Sequence, residues 1–216
     1  MNFKQCERDP CLYIRNKTLI SIYVDDCIIS APTTKEIKQL INGLKEIYQL
    51  TEQGELKYIL GVEIERNRNT KTIQINQTKY IKNIVKRFNM ENSNSVNIPY
   101  FKAEETTELT NTKEYQSIIG SENYAAVISR PDISFTVNNL ARSLYQPTDN
   151  NYKAAKKLLR YLNGTLELKL TINGQLQIQA YSDASLGDDE ETKRSISGIV
   201  IYLGNTPIIW KSNDNQ

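Results

Sequence analysis

Short apolar runs at the start of the chain alternate with polar turns, as expected of antiparallel strands. They are rich in Ile, Val and Tyr, which favour strands. Two of the runs flank Asp25 and Asp26, so the pattern predicts a tight hairpin that ends before Pro32. The predicted strands of this region are 11–15, 19–24 and 27–30.

Longer segments with apolar residues every three or four positions predict amphipathic helices. The first covers 33–50, where Thr33 and Glu36 have the spacing of a capping box. A second is predicted over 77–88, and a helix-rich block over 113–162 follows. The apolar stripe predicted for the first helix consists of Ile37, Leu40, Ile41, Leu44, Ile47 and Tyr48, and that of the second of Tyr80, Ile81, Ile84, Val85 and Phe88.

Strand-like segments also occur between and after these helices. Residues 55–66 and 71–76 predict two strands joined by a polar turn. Near the end, "LQIQAYS", "SISGIVIYLG" and "PIIWK" predict a three-stranded antiparallel meander. A stretch rich in Asn, Ser, Thr and Glu, about 91–112, is the best linker candidate.

Composition narrows the chemistry that these elements can support. The chain has no histidine, which excludes Ser-His-Asp and Cys-His catalysis and histidine-containing zinc sites. Its net charge of +2 is too small to indicate nucleic-acid binding by itself, so a basic site has to be local. Three cysteines, no visible signal peptide and no membrane-spanning run predict a soluble intracellular protein without a membrane partner.

The Asp25-Asp26 pair has two interpretations. Asp is common in polar hairpin turns. However, a turn with positive φ usually contains Gly or Asn, and neither is present here. Adjacent carboxylates repel each other unless a cation compensates, and Mg²⁺ takes carboxylate oxygens together with substrate phosphates.

"YVDD" between apolar strands resembles the palm motif of reverse transcriptases, in particular those of copia-type (Pseudoviridae) retrotransposon Pol polyproteins. The resemblance continues in order along nearly the whole chain. "GELKYILGVEIER" resembles the segment after the palm helix, and "TKYIKNIVKRFNM" is similar to the first thumb helix. "SRPDISFTVNNLARSLYQPT" matches the next block, and "YSDASLGDDEETKRSISGIVIYLG" resembles the start of ribonuclease H.

This resemblance implies an α+β fold in three parts. Residues 1–76 would be the C-terminal part of the palm, with the YVDD hairpin and a primer-grip-like hairpin. Residues 77–164 would be the helical thumb and connection, and 165–216 a truncated ribonuclease H-like domain with its first three antiparallel strands.

The resemblance also assigns residues to the parent activity, which is RNA-directed DNA synthesis from dNTPs on an RNA template and DNA primer. Asp25 and Asp26 would be catalytic ligands of Mg²⁺, and Asp183 the first metal ligand of the ribonuclease H site. Tyr23 and Val24 would lie beside the primer terminus. Gly61 would allow nucleic acid to approach the backbone closely. The family is associated with cytoplasmic virus-like particles and the nucleus.

Basic residues lie opposite the apolar stripes of two predicted helices. One interpretation is a solvated helix face, and the other is sequence-independent binding to the phosphates of an RNA–DNA hybrid. The resemblance favours the second for 77–88, because thumbs grip duplexes. The residues concerned are Lys79, Lys82 and Lys86 on the first helix, and Lys153, Lys156, Lys157 and Arg160 on the second.

Parts of both family sites are expected to lie outside this chain. These are the third palm aspartate, the fingers and the later ribonuclease H carboxylates, so the missing N-terminal portion is a candidate partner. Two hypotheses follow. The first is a polymerase, alone or complemented. The second is a non-catalytic relic that binds either nothing or nucleic acid, in which case it could interfere with an intact element. We expect the second for the isolated chain and the first for its parent.

Several features depart from the family pattern or affect stability. Leu186 replaces the usual Trp, and Glu122 lies in a usually apolar helix stretch. The acidic run 188–191 is expected to be a solvated loop. The ribonuclease H strands are expected to expose an apolar face and a free edge, which would make the chain marginally stable.

Overall fold

The computed structural model describes residues 1–100, 108–173, 177–185 and 196–214, in two compact units, Met1–Ile59 and Leu60–Gln216. Its antiparallel sheets and helices confirm the predicted mixed α and β character. None of the helices in this described part is long and apolar enough to cross a bilayer. The first unit contains β1 (Lys4–Gln5), β2 (Leu12–Arg15), β3 (Thr18–Tyr23), β4 (Asp26–Ser30), α1 (Thr34–Lys45) and β5 (Tyr58–Ile59).

The second unit combines helices with two groups of strands. Leu186, the acidic run 188–191 and part of the predicted linker lie outside the described residues. The elements are β6 (Val62–Asn67), β7 (Thr72–Asn76), α2 (Thr78–Arg87), α3 (Thr112–Ile128), a 3₁₀ turn (Pro131–Ile133), α4 (Ser134–Ala141), α5 (Asp149–Gly164), β8 (Leu170–Ile172), β9 (Ile178–Ser185), β10 (Ile196–Leu203) and β11 (Thr206–Asp214).

In the first unit, β1 to β4 form an antiparallel meander in chain order, which confirms the predicted hairpin. Helix α1 begins as predicted, because the Thr33 hydroxyl oxygen accepts a hydrogen bond from the Glu36 amide at 3.2 Å. It ends at Lys45, so the prediction of a helix to residue 50 is wrong. Ile47 and Tyr48 continue the apolar spacing but lie beyond the end of the helix and are 66% and 60% exposed.

The core of the second unit lies among α2, α3, α4 and α5. The apolar face predicted for 77–88 is confirmed on α2, and α5 also buries one face. Strand β7 pairs with β6 and also with β8, which starts after α5 and returns to the sheet. The buried residues are Ile81, Ile84 and Val85 on α2, Phe88 directly after it, and Ala154, Ala155, Leu158, Leu159, Tyr161 and Leu162 on α5.

Strands β9, β10 and β11 form the predicted three-stranded antiparallel meander, with β9 at one edge. One face is tied to the helical core, because the Trp210 indole N–H donates to the Ala126 carbonyl at 2.7 Å. The opposite face leaves Ile178, Ile199 and Ile209 exposed. The expectation of an uncovered apolar surface therefore holds for this second face of the sheet.

A buried ionic network joins the 3₁₀ turn to the end of α5. Arg130, which is 2% exposed, donates through Nε and Nη2 to both carboxylate oxygens of Asp132, at 2.9 and 2.7 Å. The same Nη2 donates to the Thr165 hydroxyl at 2.7 Å, and the Tyr161 hydroxyl donates to Asp132 at 2.8 Å. Burial alone would raise the pKa of Asp132, but the hydrogen bonds and charge of Arg130 outweigh it and the pKa is lowered.

One carboxyl group lies unpaired inside the helical core. Glu122 on α3 is fully buried, and within the described residues neither of its side-chain oxygens has a hydrogen-bond partner. Burial therefore raises the pKa of Glu122 well above its usual value. Its negative charge would also disfavour ionisation of Tyr115 and Tyr80, whose pKa values are raised mainly by burial.

Candidate metal site and nucleic-acid interface

The hairpin between β3 and β4 turns at Val24 and Asp25. Tyr23 pairs with Asp26, so Asp26 is the first residue of β4 rather than part of the turn. Val24 adopts a φ of 52° and is 82% exposed. A β-branched side chain is strained in this region, and the hairpin turns here without the Gly or Asn that positive φ usually favours.

Both carboxylates are exposed at the tip of this hairpin. Within the described residues, neither side-chain carboxylate has an ion-pair or hydrogen-bond partner, so four oxygens remain available to a hard cation. The described residues also contain no group of three or more His, Cys, Asp or Glu that could hold a metal ion. The two carboxylates are of the donor type that Mg²⁺ accepts, but the ion would need further oxygen ligands.

Asp183 lies on β9, opposite Gly198 of β10. It is exposed, and its Oδ1 accepts a hydrogen bond from the Ala184 amide at 2.9 Å. The shallow surface depression around it is also lined by Lys211, but by no second acidic residue of the described chain. The structure therefore shows one available carboxylate at this position.

Helix α2 presents a basic face. Lys79, Lys82 and Lys86 are all exposed, whereas the opposite face lies in the core. Their spacing places them within one narrow sector of the helix. The helix contains no acidic residue. Of these three lysines, Lys79 forms an ion pair within the described part of the chain, with its Nζ 3.8 Å from Glu63 Oε1. Arg87 adds a fourth positive charge, although it donates to the Ser117 hydroxyl at 2.8 Å.

The basic residues of α5 are more strongly engaged with their neighbours. They lie away from the buried face, as predicted, but their charges are partly used within the unit. The contacts are Lys153 Nζ to Asp149 Oδ2 at 2.6 Å, Lys156 Nζ at 5.0 Å from the centroid of the Tyr152 ring, and Arg160 Nε to the Asn94 carbonyl at 2.5 Å.

Gly61 has a φ of +76°, which accounts for glycine at this position. A Cβ added to it would point toward protein, 3.7 Å from ring atoms of both Tyr80 and Tyr124. Any nucleic acid must therefore approach Gly61 from another side. The spacing of residues in the sequence does not reveal this arrangement, because it places Tyr80 on the core face of α2 and indicates no role for Tyr124.

Of the residues singled out from the sequence, the structure brings together two groups. Tyr23, Val24, Asp25 and Asp26 meet at one hairpin tip in the first unit. Lys79, Lys82 and Lys86 meet on one face of α2 in the second unit. Asp183 lies on a separate element of that unit.

Comparison with known proteins identifies one family. A family model described as "Reverse transcriptase (RNA-dependent DNA polymerase)" matches residues 1–102. The retrovirus-related Pol polyprotein from transposon RE2 of Arabidopsis thaliana is 34% identical over 96% of this chain, which spans 15% of that polyprotein. The corresponding polyprotein from transposon TNT 1-94 of Nicotiana tabacum is 31% identical over 94% of this chain and 17% of its own length.

A shorter relative matches over most of both chains. The putative transposon Ty5-1 protein YCL074W of Saccharomyces cerevisiae is 30% identical over 98% of this chain and 72% of its own length. No solved structure matches the chain. The chain belongs to the reverse transcriptase family found in copia-type retrotransposon Pol polyproteins.

Proposed function

We propose that this chain is a template–primer-binding segment of a retrotransposon reverse transcriptase and binds an RNA–DNA hybrid through the basic face of α2. The observation that carries the proposal is the array of Lys79, Lys82 and Lys86 along one exposed face of a helix without acidic residues. Phosphate contacts from such a face give affinity without reading sequence. Lys153 and Lys157 of α5 are secondary candidates, because local contacts engage that face.

The proposal predicts a specific dependence of binding on salt. Each lysine that neutralises a phosphate releases a counterion, so the slope of log K against log salt reports the number of contacts. For the double variant Lys82→Glu/Lys86→Glu we expect roughly tenfold weaker binding at low salt and a slope smaller by about two. The measurement is fluorescence anisotropy with a labelled poly(rA)–oligo(dT) hybrid.

The matched control is Lys35→Glu/Lys38→Glu on the exposed side of α1, which makes the same change in net charge. It should bind with nearly unaltered affinity and slope. Equal losses in both double variants would show that net charge, not the α2 face, determines binding. Absence of binding by the unsubstituted chain at low salt would refute the proposal.

A second function is supported by the exposed Asp25-Asp26 tip together with family membership. In the parent polyprotein, these two carboxylates would hold Mg²⁺ for nucleotidyl transfer from a dNTP to the primer. When bound, the metal would supply charge stabilisation to the reacting oxygens and the leaving pyrophosphate. The residues' own contribution is to present hard oxygen donors at a solvent-facing tip where a primer terminus has access, with Tyr23 and Val24 beside it.

Primer extension tests this second function. Incorporation of dTTP on poly(rA)–oligo(dT) with Mg²⁺ would be measured for the chain alone and supplemented with an N-terminal polyprotein segment. Asp25→Asn should abolish incorporation, whereas Asp9→Asn, an exposed aspartate outside the hairpin, should not. Equal incorporation by Asp25→Asn and the unsubstituted protein would refute the assignment.

Asp183 is proposed as one ligand of a ribonuclease H site in the parent. Its exposure on an edge strand supports this role, since a carboxylate at the end of a sheet is open to a cation and a substrate phosphate. Cleavage of the RNA strand of a hybrid by a longer polyprotein segment should be lost in Asp183→Asn and retained in Asp25→Asn. Retention of cleavage in Asp183→Asn would refute it.

A further inference from the structure

The turn before β6 has an unusual backbone. Leu60 and Gly61 adopt successive positive φ values of 49° and 76°. Two such residues in succession are the signature of a type I′ turn, in which glycine, asparagine and aspartate are preferred. Glycine meets this demand at the second position, but the leucine does not. The backbone of Leu60 is therefore held in place by contacts from outside the turn.

Two tyrosines provide those contacts. The Tyr124 hydroxyl on α3 donates a hydrogen bond to the Leu60 carbonyl. The Tyr80 ring of α2 packs edge-on against the Tyr124 ring, with centroids 5.0 Å apart. Tyr80 is itself fixed, because its hydroxyl donates to the Ser121 carbonyl at 3.0 Å. Both rings pack against the side of Gly61 where a Cβ atom would lie.

A second contact ties the following strand to the basic helix. Glu63 at the start of β6 accepts a hydrogen bond from the backbone amide of Lys79 at 2.9 Å. This carboxylate caps the first turn of α2, where the N-cap residue Gln77 makes no side-chain capping bond. The turn, the strand and the basic helix are thus linked by specific polar contacts.

We infer that Tyr124 is a positioning residue for hybrid binding: its hydroxyl holds the Leu60–Gly61 turn at a fixed place beside the basic face of α2. This inference rests on the proposed function. Leu60 is 39% exposed, so the turn presents one side to solvent while the tyrosines occupy the other. Tyr124 acts through the Leu60 carbonyl and does not itself contact the nucleic acid.

The test compares Tyr124→Phe with Tyr152→Phe. Both remove only a hydroxyl hydrogen bond, and Tyr152 donates to Glu114 Oε1 at 2.8 Å, away from the turn. Hydrogen exchange of the Leu60 to Val62 amides would be measured in the free protein. Hybrid affinity would be measured by anisotropy with the labelled poly(rA)–oligo(dT) hybrid.

For Tyr124→Phe we expect faster exchange at the turn and roughly three- to tenfold weaker hybrid binding. Tyr152→Phe should match the unsubstituted chain in both. Unaltered exchange in Tyr124→Phe would overturn the inference. Faster exchange with unaltered affinity would also overturn it, because Tyr124 would then order the turn without any effect on hybrid binding.

The two failures are distinguishable. If the proposed function is wrong, the unsubstituted chain does not bind the hybrid, or charge reversal on α2 has no specific effect, and the inference is overturned with it. If only the inference is wrong, the unsubstituted chain binds, the α2 variant binds more weakly, and Tyr124→Phe binds as tightly as the unsubstituted chain.

Discussion

Glu122 makes the sharpest stability prediction, because it places an unpaired carboxyl group in a helical core. It is fully buried on α3, and neither oxygen has a partner within the described residues. A buried polar group without a hydrogen bond costs about 1–3 kcal/mol. Glu122→Leu removes that cost and adds apolar surface of similar size, so we expect the free energy of unfolding to rise by about 2–4 kcal/mol at neutral pH.

The effect should depend on pH with a defined sign. Burial raises the pKa of Glu122 in the folded state, so the folded chain binds this proton more tightly than the unfolded chain, whose group titrates near 4.5. The stabilisation that this tighter proton binding contributes is fully present below about pH 4.5. It is lost as pH rises toward the folded-state pKa, by about 1.4 kcal/mol per pH unit. Asp132, with a lowered pKa, titrates below this window, and Tyr80 and Tyr115 titrate above it.

Urea unfolding from about pH 5 to about pH 8 measures both effects, since its midpoint and slope give the free energy of unfolding. Trp210 is the only tryptophan of the chain and lies in the unit that contains Glu122, so its fluorescence reports the relevant transition. Glu91→Gln, at an exposed glutamate, is the control and should follow the unsubstituted chain. Parallel pH curves for Glu122→Leu and the unsubstituted chain would refute the reasoning.

Four further substitutions test other parts of the fold. Gly61→Ala should lower the free energy of unfolding by about 1 kcal/mol, because the φ of Gly61 is positive. Gly120→Ala should raise it by about 0.5–1 kcal/mol, because Gly120 lies inside α3 with open space around its Cβ position. Urea titration measures both changes, and changes of the same sign would contradict this prediction. Asp132→Asn leaves the buried Arg130 without its counter-charge and should cost about 3 kcal/mol at neutral pH. Because the pKa of Asp132 is lowered in the folded state, the stabilisation it contributes is present above about pH 3.8 and is lost as pH falls through the folded-state pKa. The unfolding curves of Asp132→Asn and the unsubstituted chain should therefore converge in acid. Thr33→Ala removes the cap of α1 and should cost about 1 kcal/mol in thermal unfolding of the first unit, a result that an unaltered melting temperature would contradict.

The family and the local elements could be predicted from the sequence, because both depend on motifs and spacings of residues that are close in the chain. The hairpin, the buried face of α2 and the final meander all follow from the spacing of apolar residues, which directly determines the side that can be buried. The basic face of α2 follows from the same spacing. The turn within the hairpin was not predictable, because pairing of Tyr23 with Asp26 leaves Val24 in a conformation that its own preference opposes.

The sequence by itself therefore determined the periodic elements, the exclusion of histidine chemistry and the acidic and basic residues on which the proposed functions rest. Only the tertiary structure decided which apolar residues are covered, where α1 ends, and that Tyr124 reaches the Leu60 carbonyl. It also decided that Glu122 lies in the core without a hydrogen-bond partner among the residues that the structure describes. The physical reason is that periodicity is a property of neighbouring residues, whereas burial and hydrogen bonding depend on segments that are distant in the chain.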